Sequence, residues 1–312
     1  MQYSEISSLA DRILDNIDRV MIGKRPIATQ ILAAILSSGH VLLEDVPGTG
    51  KTTLAKAFAL SFSGQFSRIQ CTPDVLPSDI TGMTIFHQEN STFEFLPGPV
   101  FTNILLVDEI NRATPRTQSA LLEAMQEGQV SENSKTYPLP DPFLVIATEN
   151  PVESQGTFPL PEAQLDRFMM QLTPGYPDHA EAIQMLRSRE TTDPLAGLSP
   201  VASLDELTRA RALCRSCAIS DDLLDYLARI CEAARDPALV FLGPSPRAML
   251  MLMTVSKAYA AIQGRDYVLP DDIKAFVVPV LGHRILMQGS DTPAQFLAHL
   301  LDTVPVPTEV TQ

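Results

Sequence analysis

The stretch that decides the fold is DVPGTGKTT, which runs from Asp45 to Thr53. It follows a short apolar run, residues 40–43, and precedes a segment whose pattern predicts a helix over residues 52–62. Glycines here let successive backbone N–H groups approach an anion, and the positive end of the helix attracts the same charge. A plain glycine turn would not require a lysine followed by two threonines. The sequence therefore predicts a loop that wraps a polyphosphate.

Each residue type in this loop suits one part of a polyphosphate. Gly48 and Gly50 allow close approach of the backbone, Lys51 would reach the β- and γ-phosphates, and the Thr52 hydroxyl would ligate magnesium. The general pattern begins with glycine, whereas Asp45 holds that place here. Aspartate tolerates a left-handed backbone better than most residues, so the loop can still form. The predicted binding residues are Asp45, Pro47, Gly48, Thr49, Gly50, Lys51, Thr52 and Thr53.

Two later apolar runs, residues 104–107 and 143–147, also end in polar groups. Short apolar strands separated by helices indicate a parallel sheet covered on both faces, and such sheets bind ligands at the carboxyl ends of their strands. Asp108 would lie near the magnesium ion and Glu109 would orient the attacking water. Asn150 would hold that water or contact the γ-phosphate, although a turn asparagine before a proline explains its position equally well.

The pattern changes after Arg167, and from Leu204 onward it predicts helices throughout. We place a domain boundary near residue 190, which gives a nucleotide-binding α/β domain of residues 1–190 and an all-helical lid of residues 191–312. Arg167 precedes the fifth predicted strand and Arg247 begins a predicted helix. Arginine forks bind phosphate oxygens and stabilise charge in a transition state. From composition alone, surface salt bridges are the preferred interpretation of both arginines.

The charge balance narrows the class of partner. The chain has 312 residues, and 37 acidic against 23 basic residues give a formal net charge of -14. Such a field repels nucleic acid and anionic lipid, so a protein partner is favoured. No run of eighteen apolar residues occurs and the first fifteen residues lack the features of a signal peptide, so we expect a cytoplasmic protein without membrane insertion.

Cysteine and histidine residues give no separate metal site. Cys214 and Cys217 form a lone C-x-x-C without a second pair or nearby histidines at ligand spacing, so we expect buried, reduced thiols. His283 beside Arg284 could bind phosphate, but a surface pair at a helix end is the preferred interpretation. Magnesium bound with the nucleotide is the single metal that we predict.

Four blocks carry a family likeness: DVPGTGKT, VDEINRATPRTQSALLEAMQEGQV, ATENPVESQGTFPLPEAQLDRF and GPSPRA. In this order they resemble AAA+ ATPases of the MoxR family, and the likeness covers nearly the whole chain. It implies a P-loop NTPase fold of the α/β class, with a five-stranded parallel sheet sandwiched by helices and an all-α lid domain. It also implies ATP and Mg²⁺ as cofactors.

The resemblance assigns a role to each matching position. Lys51 and Thr52 match the Walker A residues, Asp108 and Glu109 match Walker B, and Asn150 matches sensor one. Glu149 stands where many family members have glutamine. Arg167 matches the arginine finger that reaches the neighbouring subunit's ATP, and Arg247 matches sensor two. The stretch Val20-Met21-Ile22-Gly23 matches the segment near adenine. Residues 84–97, from Thr84 to Pro97, match the extra insert of the clade, and residues 130–142, from Val130 to Pro142, match the hairpin before sensor one.

The resemblance also implies a biological role. Family members look like ring-forming ATPases, usually hexameric, that act as chaperones on other proteins, often partners with a von Willebrand factor A domain. A nucleic-acid motor and a non-catalytic, ATP-gated scaffold are the alternatives. The insert of residues 84–97 has no lysine or arginine and the hairpin of residues 130–142 has one lysine, Lys135, which favours the chaperone. The residues Lys51 and Glu109 disfavour the scaffold.

Overall fold

The computed structural model describes residues 1–44, 48–89, 91–149, 156–188, 190 and 194–307. The strands are β1 Val41–Glu44, β2 Phe66–Gln70, β3 Gly82–His87, β4 Thr92–Pro97, β5 Ile104–Asp108, β6 Gln129–Glu132, β7 Lys135–Pro138, β8 Leu144–Glu149, β9 Met170–Leu172, β10 Val240–Leu242 and β11 Leu286–Met287. The helices are α1 Tyr3–Asp18, α2 Arg25–Leu36, α3 Lys51–Ser61, α4 Pro77–Thr81, α5 Pro115–Glu127, α6 Glu162–Leu165, α7 His179–Ser188, α8 Leu204–Arg215, α9 Asp221–Ala233, α10 Pro246–Ile262, α11 Pro270–Leu281 and α12 Pro293–Thr303.

A five-stranded parallel sheet lies at the centre of the fold, in the order β2-β5-β8-β1-β9. This confirms the predicted fold class and the three strands that were predicted from apolar runs. Every residue of β5 is buried, because helices cover both faces of the sheet. The carboxyl ends of β1, β5 and β8 lie along one edge, as such a sheet requires. This edge receives the polar residues that follow the three strands.

Alternate residues of the central strands feed two separate cores. In β5, Ile104 and Leu106 face one core, while Leu105 and Val107 face the other. The first core also includes residues of α1, α2, α8, α10 and α11, so the helices after residue 203 pack against the amino-terminal helices. The proposed boundary near residue 190 therefore does not separate two hydrophobic cores, and the division into two domains stays a prediction.

Local sequence signals account for the ends of α5. Thr114 is the N-cap, and its Oγ1 accepts a hydrogen bond from the Thr117 backbone N–H at 3.4 Å. Pro115 occupies the first helical position, where its missing N–H costs nothing. Gly128 ends the helix with φ 62°, a left-handed conformation that glycine adopts without strain. These local signals therefore set both ends of α5.

The helices of the carboxyl-terminal part are those predicted, with one addition. α8, α9, α10 and α11 lie where the pattern placed them. The same part also contains a small antiparallel ribbon of β10 and β11, which the sequence pattern did not reveal because each strand has only two or three residues. Among the described residues, no helix is both long and apolar enough to cross a membrane.

The hairpin expected within residues 130–142 is present, and the insert also forms a hairpin. β3 pairs with β4 in the insert, and β6 pairs with β7 around Asn133 and Ser134, which both have positive φ angles. The hairpins contact each other where the rings of Phe95 and Tyr137 stack with centroids 4.0 Å apart. Phe93 lies at the surface of the insert with 74% of its area exposed.

Candidate nucleotide site

The glycine-rich loop has the backbone that an anion site needs. Gly48 and Gly50 have φ angles of 90° and 88°, in the left-handed region that favours glycine. α3 begins directly after them at Lys51, and no side chain among the described residues caps its first turn. The N–H groups of that turn can therefore bind an external anion. Lys51, Thr52 and Thr53 are half-buried in this turn, and Asp45 and Pro47 lie outside the described residues.

The segment predicted to lie near adenine is next to this loop. A methyl group added at Gly50 would lie 3.1 Å from Cε of Met21, so the Met21 side chain packs against the loop. Gly23 has a φ angle of 71° and packs closely against the Glu181 carboxyl group, because a Cβ added at Gly23 would lie 2.1 Å from the carboxyl carbon of Glu181. Ile22 is half-buried between these two contacts. The segment therefore lies beside the phosphate loop, and its predicted contact with adenine stays a prediction.

Asp108 occupies the end of β5 and is almost completely buried. Arg68 on β2 donates from Nε to Asp108 Oδ2 at 2.6 Å, and the Thr148 hydroxyl lies 3.5 Å from the other oxygen. A buried carboxylate at this edge fits a site for a hard cation, for which oxygen ligands are preferred. The Asp108 carboxylate and the Thr52 hydroxyl are both oxygen donors of the kind that Mg²⁺ prefers, and their joint role stays a prediction.

Glu109 has an unusual backbone for a glutamate. Its φ and ψ of 56° and 53° lie in the left-handed region, which costs roughly 1–3 kcal/mol for a residue other than glycine. Its backbone N–H donates to Thr148 Oγ1 at 2.9 Å, which helps to hold this conformation. The carboxylate accepts from Gln70 Nε2 at 3.1 Å and lies 3.4 Å from Arg112 Nη1. The tertiary structure thus fixes Glu109 at the edge where a water would be activated.

Three polar residues of this edge were not singled out from the sequence. Thr148 is a polar residue near the carboxyl end of the apolar central strand β8, and this pattern is visible in the sequence. Arg68 and Gln70 lie on β2, at the margin of the sheet, whose sequence FSRIQ has two apolar residues separated by two polar ones and was not predicted as a strand. Their position beside Asp108 follows only from the parallel pairing of β2 with β5.

Two further carboxyl groups meet at the ends of β1 and β8. Glu44 and Glu149 are register partners, and Gln171 Nε2 donates to Glu44 Oε2 at 2.5 Å. Burial raises the pKa of Glu149 to about 7, and the negative charge of Glu44 adds to the rise. A protonated Glu149 carries a donor and an acceptor, as the glutamine of related chains does. The predicted sensor residue, Asn150, lies outside the described residues.

The two predicted arginines lie at the opposite edge of the sheet. Arg167 precedes β9, which runs parallel to β1, and the Met169 N–H donates to the carbonyl oxygen of His40 just before β1. Arg247 belongs to the first turn of α10, whose N-cap Ser245 donates to the carboxylate of Asp166. Lys51 instead follows the carboxyl end of β1. The backbone of Arg167 thus lies at the opposite end of the parallel strands from Lys51, and Ser245 links the first turn of α10, with Arg247, to the same region.

Arg284 corrects a prediction. The interpretation of His283 and Arg284 as a surface pair is wrong, because Arg284 is only 5% exposed. It forms an ion pair with Asp166 at 2.7 Å, and the next residue along the chain from Asp166 is Arg167. Cys214 and Cys217 are buried and free, as predicted, and burial raises their pKa values to about 12 and about 11.

Comparisons with known proteins identify the family. The sequence profile of the ATPase family associated with various cellular activities (AAA) matches residues 40–170, and that of the AAA lid domain matches residues 232–299. The chaperone MoxR1 of Mycobacterium tuberculosis is 39% identical over 97% of this chain and 84% of its own length. The chain belongs to the MoxR family of AAA ATPases. The uncharacterised protein YeaC of Bacillus subtilis is 46% identical over 92% of this chain and 90% of its own length.

The fold agrees with this family. A crystal structure from Cytophaga hutchinsonii, of a protein named as a predicted ATPase, superposes with a TM-score of 0.91 at 37% identity. The match covers 98% of this chain and 97% of the other. Both the sheet and the helical lid of this MoxR-family chain are therefore shared with that protein.

Proposed function

We propose that this MoxR-family chain hydrolyses ATP at a site shared between neighbouring copies in a ring, and that it uses the energy to remodel partner proteins as a chaperone. The observation that carries the proposal is the separation of the charged groups. Lys51, Asp108 and Glu109 lie at the carboxyl edge of the sheet, while Arg167 and Arg247 lie at the amino edge. A complete site would take the first set from one copy and the arginines from the next.

The carboxyl edge would bind and orient the triphosphate. The loop N–H groups and Lys51 would hold the phosphates, and Thr52 and Asp108 would ligate Mg²⁺. When bound there, Mg²⁺ would supply positive charge that neutralises the phosphates. Arg68 now occupies one Asp108 oxygen, so it would have to release that oxygen when the site fills.

Glu109 would act as the base. Its backbone N–H is held by Thr148, and its carboxylate lies at the carboxyl edge of the sheet beside Gln70 and Arg112. A carboxylate in this place can accept a proton from the water that attacks the γ-phosphorus, and ADP leaves with the electrons of the broken bond. Asn150, matched to sensor one, would orient the same water.

The arginines would act across the subunit boundary. The β1 strand alone separates the two edges by about 13 Å, at about 3.3 Å for each residue, so we expect Arg167 to act on the nucleotide of a neighbouring copy. An arginine supplied in trans raises phosphoryl-transfer rates by about 10³–10⁵ in related systems. We therefore propose a closed ring, a hexamer as the family likeness implies, in which assembly completes the active site.

A protein is the favoured partner. The net charge of -14 and the absence of lysine or arginine in residues 84–97 disfavour nucleic acid. The named relative MoxR1 is a chaperone. By that likeness we propose a client protein, of the kind that carries a von Willebrand factor A domain, and action in the cytoplasm. Filter binding to single- and double-stranded DNA tests the motor alternative, since salt-sensitive micromolar binding would support it.

The deciding experiment mixes two inactive variants. Glu109→Gln retains its arginines but lacks the base, and Arg167→Ala retains the base but lacks the finger. Each alone should hydrolyse ATP at least about 100-fold more slowly than wild type. Their mixture should recover activity, because an Arg167→Ala site can receive an arginine from a Glu109→Gln neighbour. Wild-type specific activity should also rise with protein concentration as rings form.

Two outcomes would contradict the proposal. If the mixture shows only the sum of the separate rates, although light scattering shows mixed assemblies, the site is not shared. If wild type and Glu109→Gln hydrolyse ATP at the same rate, the chain is a nucleotide-gated scaffold rather than an ATPase. Nucleotide binding by both variants, measured with a fluorescent ATP analogue, is the control for folding.

A further inference from the structure

Arg284 is a buried cation for which the hydrolytic mechanism has no use. Its Nε donates to Asp166 Oδ1 at 2.7 Å, and its Nη2 donates to the carbonyl oxygens of Asp166 and Phe168 at 3.0 and 2.5 Å. Its Nη1 lies 3.4 Å from the carbonyl oxygen of Met169. A buried guanidinium is stable only when it is paired and hydrogen-bonded, so these contacts hold residues 166–169 in one conformation.

The Asp166 carboxylate has a second partner on the lid. Ser245 Oγ lies 2.9 and 3.0 Å from the two carboxylate oxygens, and it also accepts the Ala248 N–H at 3.2 Å. Ser245 is the N-cap of α10, and Arg247 lies two residues further on. One carboxylate thus joins the loop that carries Arg167 to the helix turn that carries Arg247.

The two joined arginines carry free charge at the same edge. Within the described residues, no ion pair engages Arg167 or Arg247. Burial lowers the pKa of Arg284, and repulsion from the nearby Arg247 contributes to the same change. Arg284 and Arg247 are therefore close together, and the Asp166 carboxylate, which pairs with Arg284, offsets their repulsion.

We propose that Asp166, clamped by Arg284 and Ser245, is a positioning residue that sets Arg167 and Arg247 as one unit for the neighbouring subunit's nucleotide. The inference rests on the proposed shared site. Because the clamp joins the sheet to the lid, a movement of the lid would shift both arginines together. Asp166 contacts neither phosphate nor water in this scheme and acts only through the arginines.

The chain offers a matched control pair in the same lid. Arg265 donates to both oxygens of Asp272 at 2.7 and 2.6 Å, and Asp272 also accepts the Leu269 N–H at the start of α11. The side chains of Arg265 and Asp272 are 22% and 3% exposed, against 3% and 21% for Arg284 and Asp166, so the two pairs are buried to a similar extent. Among the described residues, no hydrogen bond or ion pair joins Asp272 or Arg265 to residues 166–169. A purely structural role would make the two aspartates equivalent.

The test uses donors that have no active site of their own. Glu109→Gln subunits supply arginines to Arg167→Ala subunits, and the recovered ATP hydrolysis measures how well the donor's arginines are placed. A Glu109→Gln donor that also carries Asp166→Asn should recover at most about a tenth of that rate, since misplacement by about 1 Å costs about 100-fold. The same donor with Asp272→Asn should recover the rate to within about twofold.

Folding of the donors is measured separately. Each donor's melting temperature and its binding of a fluorescent ATP analogue at its own phosphate loop are recorded before mixing. Ser245→Ala provides a milder donor, because it removes one partner of Asp166 and leaves the ion pair with Arg284. This donor should also recover less activity than the plain donor, by about three- to tenfold, as the loss of one hydrogen bond to a charged group predicts.

The outcomes separate this inference from the shared-site proposal. If the Asp166→Asn or Ser245→Ala donor recovers as much ATP hydrolysis as the plain donor, the positioning role is overturned and the shared site stays intact. Equal loss with Asp166→Asn and Asp272→Asn would show a structural role only and would also overturn it. Failure of the plain Glu109→Gln donor would overturn the shared site, and the positioning role with it.

Discussion

Replacement of Glu149 by glutamine tests the electrostatics of the sheet's carboxyl edge. Glu149 ends β8 beside Glu44, and burial, with a further contribution from Glu44, raises its pKa from 4.5 to about 7. Glutamine has nearly the same shape and cannot ionise. The variant therefore removes the titration and keeps the packing.

The sign follows from the two pKa values. Because the folded-state pKa is the higher one, the stability that the protonated carboxyl contributes is fully present below pH 4.5 and is lost as the pH rises through about 7. A rise of this size corresponds to about 3 kcal/mol in the free energy of unfolding. The Glu149→Gln variant should escape this loss, so it should become more stable than wild type at neutral and alkaline pH.

Scanning calorimetry without nucleotide, at about pH 5 and about pH 8, measures the difference. The melting temperatures should agree within about 1 °C at the lower pH, and the variant should melt about 5 °C higher at the upper pH, given an unfolding entropy of about 2 cal/mol/K per residue. Glu44→Gln should reproduce only a part of this gain, because burial is the larger cause. Melting temperatures that stay parallel at both pH values would refute the reasoning.

Three further predictions concern single side chains. Gly50→Ala should weaken binding of a fluorescent ATP analogue by at least about tenfold, because the φ angle of residue 50 is 88° and Met21 lies 3.1 Å from the new methyl group. An unchanged affinity would contradict this loop conformation. Arg68→Ala should lower the half-saturating Mg²⁺ concentration for ATP hydrolysis by up to about fivefold, since the half-exposed ion pair of Arg68 with Asp108 contributes at most about 1 kcal/mol. A higher half-saturating Mg²⁺ concentration in the variant would contradict this prediction. Phe93→Ala should leave the melting temperature within about 1 °C and the basal hydrolysis unchanged, because the ring is 74% exposed; a large drop would show that the ring is covered.

The central strands were predictable because both of their faces are buried. That burial requires continuous apolar runs, as in residues 104–107, and such runs are visible in the sequence. β2 lies at the margin of the sheet and has exposed Arg68 and Gln70, so its pattern gives no comparable signal. The family likeness supplied the number of strands, which the apolar runs alone did not.

The sequence by itself determined the parts whose chemistry is local. Three such features are the glycine-rich loop before Lys51, the N-cap at Thr114 and the acidic residues after an apolar run. Each depends on residues within a few positions along the chain, so each is visible in the sequence. The roles of Asn150 and the loop residues Asp45 and Pro47 stay predictions, because these residues lie outside the described ones.

Only the tertiary structure decided how distant groups meet. Arg284 and Asp166 are 118 positions apart, and the interpretation of Arg284 as a surface residue failed because burial depends on how the lid packs against the sheet. The raised pKa of Glu149 depends on the register of β1 with β8, and the placement of Arg167 away from Lys51 depends on the parallel pairing of β9 with β1. Pairing and packing between remote segments leave no local pattern, so these features follow from the folded chain alone.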